Sequence, residues 1–283
     1  MSVAFAILTS DPNVLPCELD RLRGDVRLSQ DGAVHAAIGV GSYAPPADVL
    51  LHRFPSNEPP ADLAGLIYDR SSAAVLYHER DLPVGMSLDD NAQPFRFRKW
   101  LFLHVGELEG YRAFKQQLWD ELPEFLKRSV RGETDSEVAF AGFLKHLRDS
   151  GELDDPALEP SKAAQILGVT ARRLEAASLE RAPGRRSRID FIASNESMLL
   201  ALRLGPQPLF FRVLEGVSRC PACHLEGSTP RTQPRVRAHE RWFYIDAADL
   251  ASKQTFALLE TAYALQAGDV PPVTTILTLP IAR

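Results

Sequence analysis

The sequence has little cysteine and no long apolar run. Three cysteines among 283 residues do not make a disulfide framework, which favours a reducing compartment. No apolar run approaches the roughly 20 residues that a bilayer-spanning helix needs. The apolar segment 3–8 lacks the basic flank of a signal peptide and is soon followed by Asp11 and Pro12. We therefore expect a cytoplasmic protein that does not bind membranes.

Positive charge is not in excess either. Thirty-two Lys and Arg against 37 Asp and Glu leave a formal net charge of −5, which opposes a surface built to coat nucleic acid. Apolar residues make up 45% of the chain and charged residues 24%, as in folded globular proteins. A chain of this length forms one large domain or two small ones.

The order of predicted elements favours an α+β fold. Short β-like runs with Pro and Asp breaks, typical of antiparallel hairpins, cover 3–9, 34–43, 49–54, 74–81 and 97–104. Helical periodicity follows over 109–128, 134–151 and 161–180. The second of these helices begins with a capping box, Thr134 as N-cap and Glu137 at N3. Strands return at 188–193, 198–204, 208–214, 242–245 and 273–279, with a helix over 251–266. Such a sequence of strands and helices predicts α+β layers.

One stretch of the chain carries a series of short motifs in a characteristic order. Residues 75–95 read VLYHERDLPVGMSLDDNAQPF, and WLFLHVG at 100–106, Gly110-Tyr111 and GETDSE at 132–137 follow. Over residues 74–145 this order and spacing resemble the small stand-alone class II glutamine amidotransferases. That family has an Arg on a strand, an N-T-H-P-F turn, a strand ending in H-N-G and a G-x-T-D-S-E helix start. Segments 3–8 and 190–212 resemble the family's first strand and its S-D-G…L-V-A-T-R hairpin.

The resemblance implies a fold and a chemistry. The fold is an Ntn-hydrolase-like four-layer αββα sandwich of mostly antiparallel sheets, here as a single domain over 1–283. The chemistry is glutamine amide hydrolysis with ammonia transfer, without a metal or other cofactor. In the family an N-terminal Cys is the nucleophile and its own α-amine is the base. The Asn and Gly of H-N-G form the oxyanion hole, while an Arg and an Asp bind the α-carboxylate and α-amine of glutamine.

Several positions keep the residue types that the resemblance assigns to the site. Arg80 stands at the carboxylate-binding position, where a guanidinium is well suited. Asp135 stands at the amine-binding position, although the helix dipole alone also favours an acid there. Gly106 retains the backbone N–H of the oxyanion hole, and His104 precedes it on the strand. We expect Arg80, His104 and Asp135 around the mouth of a substrate pocket, with Ser2 at the start of a central strand.

Four departures from the family pattern affect this chemistry. Ser2 replaces the nucleophilic Cys, and a hydroxyl is a weaker nucleophile than a thiol. Val105 replaces the oxyanion Asn, a loss of roughly 3–4 kcal/mol in transition-state stabilisation. Gln93 stands in place of the turn His, and AAIG at 36–39 in place of D-G-W-G. We expect a degenerate or altered amidohydrolase, with Ser2 and Gly106 at the catalytic positions, that keeps a pocket for a glutamine-like amino acid. Whether it is an enzyme stays open, and an active N-terminal-serine amidohydrolase is the first alternative.

A second alternative comes from the segment 161–188. Its start, SKAAQILGVTARRL, has the spacing of a helix-turn-helix with Gly168 at the turn, and residues 160–188 carry seven Lys and Arg against two Asp and Glu. A regulator would contact nucleic acid through this segment. Because the family resemblance resumes at Asp190, we favour a helical basic insert that covers the sandwich and expect no specific nucleic-acid binding. In that case the apolar positions face the sheet, namely Ile166, Leu167, Val169 and Leu174, and Arg172 and Arg173 are solvated.

The remaining motif is Cys220-Pro-Ala-Cys223-His224. It matches the haem-attachment pattern, but that attachment needs export. The pair of cysteines also has the spacing of half a zinc site, and the other half is missing, since only Cys17 and His239 remain as further candidates. We interpret it as a turn between strands that carries two thiols and expect no metal. A protein partner is left open.

Overall fold

The computed structural model describes residues 2–9, 36–44, 48–55, 72, 74–82, 85–204, 210–215, 241–246, 256–257 and 277–278. Its strands are β1 (Ser2–Thr9), β2 (Ala36–Ala44), β3 (Asp48–Pro55), β4 (Ala74–Asp81), β5 (Phe95–Phe97), β6 (Trp100–Glu107), β7 (Arg188–Ser194), β8 (Met198–Leu204), β9 (Phe210–Glu215), β10 (Arg241–Asp246), β11 (Phe256–Ala257) and β12 (Leu277–Thr278). Its helices are α1 (Leu88–Asn91), α2 (Tyr111–Glu121), α3 (Glu124–Lys127), α4 (Asp135–Asp149) and α5 (Pro160–Arg181).

The strands form two antiparallel sheets. The larger has the order β11-β9-β10-β1-β4-β2-β3, and the smaller has the order β12-β8-β7-β6-β5. The first strand of the chain, β1, lies in the middle of the larger sheet, between β10 and β4. An N-terminal strand at the centre of a sheet is held on both sides, which positions its first residues firmly.

Apolar side chains on alternate strand positions join the two sheets face to face. This inter-sheet core takes residues from both sheets, namely Ala4, Ala6 and Leu8 of β1, Ala74 and Leu76 of β4, Leu101, Leu103 and Val105 of β6, and Ile192 of β7. The opposite face of the smaller sheet packs against α4 and α5 in a second core. The predicted α+β class and the stacked antiparallel sheets are therefore confirmed.

Helix α4 begins as the sequence predicts, with one difference at its cap. The Thr134 hydroxyl accepts a hydrogen bond from the Glu137 amide at 3.4 Å. The Glu137 carboxylate, however, accepts from the backbone N–H groups of Arg131 and Gly132, at 2.9 and 2.6 Å, instead of from the Thr134 amide. These partly buried N–H groups of the preceding turn need an acceptor, so Glu137 stabilises the turn as well as the helix.

Other boundaries differ from prediction for local reasons. The helix predicted over 109–128 is two helices, because Pro123 lies between α2 and α3 and lacks the amide that a continuing helix needs. The strand predicted over 97–104 is the hairpin of β5 and β6, which turns at Arg98 with φ of 52°. Of the helix predicted over 251–266, the described residues are Phe256–Ala257, which form β11 because they pair with the backbone of β9.

The segment with helix-turn-helix spacing is one continuous helix, α5, which runs through Gly168 without a turn. Ile166, Leu167 and Leu174 are buried in the helical core as predicted. The prediction for Val169 is wrong: it is 44% exposed, because two residues of an α-helix turn it about 200° away from Leu167. None of the described helices has the length and apolar character that crossing a bilayer demands.

Candidate active-site cleft

An open cleft of about 420 Å³ lies where β4 and β6 end and β7 begins. Strand ends from both sheets meet there, so the cleft reaches the polar end of the inter-sheet core. Its lining is mostly ionisable: His78, Arg80, Asp81, His104, Val105, Gly106, Glu107, Glu109, Arg186 and Arg188. The cleft therefore contains two of the predicted substrate-binding residues, Arg80 and His104, and the predicted oxyanion-hole glycine, Gly106.

Ser2 and Arg80 lie side by side although 78 positions separate them in the chain. The register of β1 and β4 sets their Cα atoms directly opposite each other. Opposed Cα atoms in antiparallel pairs are about 4.5–5.5 Å apart. Ser2 therefore begins the central strand next to the cleft-lining arginine, as the sequence analysis expects.

Arg80 brings a guanidinium into the cleft from the inter-sheet face of β4. Alternation along the strand puts it on the face of Ala74 and Leu76, which belong to the inter-sheet core. Burial lowers the pKa of Arg80, while the negative charges of Asp135 and Asp81 act in the opposite direction. Within the described parts of the chain its side chain makes no hydrogen bond or ion pair. A guanidinium in this setting is well suited to a carboxylate ligand.

His104 is buried and held at both ring nitrogens. Nδ1 lies 3.0 Å from the Ser136 hydroxyl, and Nε2 lies 3.1 Å from the Arg188 carbonyl oxygen. Burial lowers the pKa of His104, and Asp135 acts in the opposite direction. The ring lies edge-on to Phe191 at 5.1 Å. His104 thus links β6 to α4 and β7 at the cleft.

Asp135 lies at the start of α4 and does not line the cleft directly. Its Oδ2 accepts a hydrogen bond from the Leu108 amide at 2.7 Å, and its Oδ1 accepts one from the Ser136 hydroxyl at 3.2 Å. Its charge acts on both Arg80 and His104. The carboxylate therefore fixes the chain just after β6 and supplies negative charge next to the cleft.

The two oxyanion-hole positions differ in what they offer. The Val105 side chain is buried in the inter-sheet core and has no polar atom to donate. Gly106 has φ of 145°, and a Cβ there would lie 2.0 Å from the Arg188 carbonyl oxygen. Only glycine fits the close approach of β6 and β7 at this point. Of the two positions that the sequence analysis assigns to an oxyanion hole, Gly106 has only its backbone N–H to offer and Val105 has no side-chain donor.

Gln93, which replaces the family's turn histidine, is buried and binds the backbone of His104. Its side-chain carbonyl accepts from the His104 amide at 2.6 Å, and its side-chain amide donates to the His104 carbonyl at 3.0 Å. A Cβ at Gly39 would lie 1.8 Å from the Gln93 backbone oxygen. The glycine of AAIG therefore lets the 93–94 turn approach β2, while Gln93 holds that turn to β6.

Asp190 is a polar residue of this region that the sequence analysis did not assign to the site. It is only 1% exposed and lies opposite Val105 in the register of β6 and β7. Its Oδ2 accepts a hydrogen bond from Arg188 Nε at 2.6 Å, while among the described residues Oδ1 has no hydrogen-bond partner. Burial raises the pKa of Asp190 to about 6, with Arg188 acting in the opposite direction. In the sequence, the signal for a site residue here was a single aspartate within the mostly apolar strand RIDFIAS.

The cysteine motif cannot be compared with prediction, because Cys220, Cys223 and His224 lie outside the described residues. In the part of the chain that the structure describes, no three His, Cys, Asp or Glu side chains are grouped so that they would hold a metal ion.

Comparison with known proteins identifies the family of this chain. The family model for class II glutamine amidotransferases matches residues 26–176, just over half of the 283 residues. The chain therefore belongs to the class II glutamine amidotransferase family.

Individual relatives extend this comparison. A probable glutamine amidotransferase of Saccharomyces cerevisiae, DUG3, is 30% identical over 112 residues, 40% of this chain and 30% of the yeast protein's length. A solved class II domain protein from Silicibacter pomeroyi has a TM-score of 0.52 at 18% identity, covering 87% of this chain and 88% of that one. A predicted glutamine amidotransferase from Pseudomonas aeruginosa has a TM-score of 0.53 at 16% identity, covering 93% of this chain and 94% of that one. These two structures share the fold of this chain.

Proposed function

We propose that the cleft binds a glutamine-like amino acid and that amide hydrolysis there is weak or altered relative to the family reaction. One contrast carries this proposal. Arg80 offers a guanidinium without a hydrogen-bond or ion-pair partner among the described residues, whereas Val105 buries an apolar side chain where the family has an oxyanion donor. The groups suited to substrate recognition are kept, and a group that stabilises the transition state is lost.

Recognition would use the two opposite charges next to the cleft. Arg80 would bind the α-carboxylate through paired N–H donors, the strongest geometry for this ligand. Asp135 would attract the α-ammonium group, because a carboxylate has more acceptor sites than its two present donors occupy. His104 would act as a positioning residue, since both of its ring nitrogens already have protein partners.

Catalysis would lack one of its two oxyanion donors. The Gly106 backbone N–H is a remaining candidate donor, and loss of a single donor lowers the rate by about 10²–10³. Ser2 would attack as a hydroxyl, activated by its own α-amine if Met1 is removed. An active serine amidohydrolase is the second candidate function, and the position of Ser2 directly opposite Arg80 favours it.

We further propose that the protein acts in the cytoplasm, because its three cysteines do not form a disulfide framework.

The test is ammonia release from L-glutamine by the purified full-length protein. We expect a rate at least ~10²-fold below that of a competent family member. The double variant Ser2→Cys with Val105→Asn should raise the rate, while Ser2→Cys alone should give the smaller increase. Ammonia release near the family rate that Ser2→Ala abolishes would contradict weak hydrolysis and establish the serine amidohydrolase. A double variant that folds, binds glutamine and gains no activity would contradict the assignment of the loss to these positions.

A further inference from the structure

A second cavity, separate from the cleft, lies between β3, β5 and the segment that precedes α4. Its volume is about 230 Å³, several times the roughly 30 Å³ that one water molecule occupies in the liquid. None of its lining residues lines the cleft. Four arginines from three parts of the chain line it, namely Arg53, Arg96, Arg128 and Arg131.

The polar side of this cavity carries four arginines against three carboxylates. Arg53 donates from Nη1 to the Asp89 carbonyl oxygen, but its Nε is buried with no hydrogen-bond partner among the described residues. Burial lowers the pKa of Arg53, and the like charge of Arg131 contributes in the same direction. Two guanidinium groups therefore lie close enough to repel each other, and one has a buried N–H without an acceptor.

The three carboxylates that line the cavity form no ion pair with its arginines among the described residues, although Arg53 and Arg96 each donate to a backbone carbonyl. Both oxygens of Glu137 accept backbone N–H groups of the preceding turn. Asp89 and Asp90 lie in the first turn of α1, and their charges, like that of Glu137, favour the charged form of Arg53 more strongly than the charge of Arg131 opposes it. Among the described residues, no ion pair joins any of these carboxylates to the four arginines.

The remaining wall is apolar, with Leu51, Phe95, Val130, Phe140 and Leu144 among its residues. A cavity with convergent guanidinium groups over an apolar wall suits a small anion with several acceptor oxygens. A dianion satisfies two mutually repelling guanidinium groups better than a monoanion, and phosphate oxygens match the fork of guanidinium donors.

We propose that this cavity is a binding site for a dianionic phosphate, either inorganic phosphate or the head of a small phosphate monoester. Arg53 and Arg131 are its principal ligands, and Arg96 and Arg128 lie at its edge. The site is independent of the amide chemistry in the cleft, so its failure would leave the proposed function untouched.

Calorimetric titration of the full-length protein with inorganic phosphate and with phenyl phosphate, at pH 8 and constant ionic strength, tests the site. We expect saturable binding of one phosphate per chain and a matching rise in melting temperature, with acetate much weaker. Tighter binding of phenyl phosphate identifies a monoester site, and equal binding identifies inorganic phosphate as sufficient. Heat that does not saturate at millimolar phosphate, or a thermal shift that sodium chloride reproduces, would overturn the proposal.

Arginine variants distinguish phosphate binding in this cavity from a general effect of surface charge. Arg53→Gln with Arg131→Gln should weaken phosphate binding at least tenfold, and Arg112→Gln on α2, outside the cavity, should leave it unchanged. Arg131→Gln alone, at an exposed loop position, serves if the double variant does not fold. Unchanged phosphate affinity in a folded Arg131→Gln variant would also overturn the proposal.

Discussion

The two faces of the smaller sheet differ sharply in chemistry. The face under α4 and α5 is packed with aromatic and aliphatic side chains, where Phe102 lies 5.0 Å from Phe140 and Trp100 lies edge-on to Phe143 at 5.2 Å. The other face is apolar along most of its length but ends at the cleft in charged groups, including Asp190 and Arg188.

The difference shows where the molecule is stabilised and where it tolerates unfavourable burial. Close packing of the helical face contributes stability through buried apolar area. At the cleft, Asp190 retains a buried oxygen without a partner among the described residues, and such a group is destabilising. Buried groups of this kind cluster at functional sites, so the helical face is the scaffold and the cleft end of the sheet is the candidate functional region.

The largest effect on the free energy of unfolding should come from a substitution in the scaffold. Phe143 is completely buried between the smaller sheet and the helices, so Phe143→Ala should lower the free energy of unfolding by about 3–5 kcal/mol. Urea denaturation measures this change. Phe125→Ala is the matched control, because Phe125 is 38% exposed and should cost less than half as much. Equal losses in the two variants would contradict the claim that close packing of the helical face stabilises the protein.

The next effect concerns the buried carboxyl of Asp190. Because burial raises its pKa to about 6, its protonated form stabilises the folded state below about pH 4, and this stability is lost as pH rises through 6. Relative to Asp190→Asn, the free energy of unfolding of the wild type should therefore fall by roughly 2 kcal/mol between pH 4 and pH 7. Unfolding free energies of both proteins across this range measure the difference.

Asp149 is a matched control, because its contribution to the free energy of unfolding changes with pH in the opposite direction. The hydrogen bond from Lys145 lowers the pKa of Asp149, an exposed side chain on α4. Its stabilising contribution is present above the ordinary carboxyl pKa and lost as pH falls through the lowered value. The difference between wild type and Asp149→Asn should thus change only below about pH 4. A flat difference for Asp190→Asn would show that its carboxyl stays ionised throughout.

The comparison of the two faces also explains what the sequence could predict. The strands of the described core and the cap at Thr134 follow from local patterns, and most boundaries lie within one or two residues of the prediction. The pairing of Ser2 with Arg80 depends on sheet order, which no local pattern contains. The family resemblance supplied the site residues, but the buried environment of Asp190 and the convergence of Arg53 with Arg131 arise only from tertiary packing.

A smaller effect should follow from the N-cap of α4. Thr134→Ala removes the hydroxyl that accepts from the Glu137 amide and should cost about 1 kcal/mol of unfolding free energy. Thr134→Ser retains an acceptor and is the control, with a loss of a few tenths of a kcal/mol expected. Urea denaturation of both variants checks this. A loss near zero for Thr134→Ala would mean that Glu137 alone holds the turn.

The smallest effect should be on the binding of nucleic acid. Arg172 and Arg173 are exposed on the continuous helix α5, where Arg173 pairs with Glu121 at 2.5 Å, and the net charge of −5 opposes a polyanion. We expect no submicromolar binding to random duplex DNA at low or high salt, and no change with Arg172→Ala and Arg173→Ala. Tight binding with a steep salt dependence that this double variant weakens would favour the regulator.

The central claim is that the cleft recognises an amino acid through Arg80. Calorimetric titration with L-glutamine, and with the analogue whose α-carboxylate is a carboxamide, tests it most directly. We predict that wild type binds L-glutamine at least tenfold more tightly than the analogue, since a charged hydrogen bond contributes about 1.5–3 kcal/mol. Arg80→Gln should abolish this preference and Arg112→Gln should keep it. Absence of glutamine binding by the wild type, or equal affinity for the two ligands, would contradict the claim.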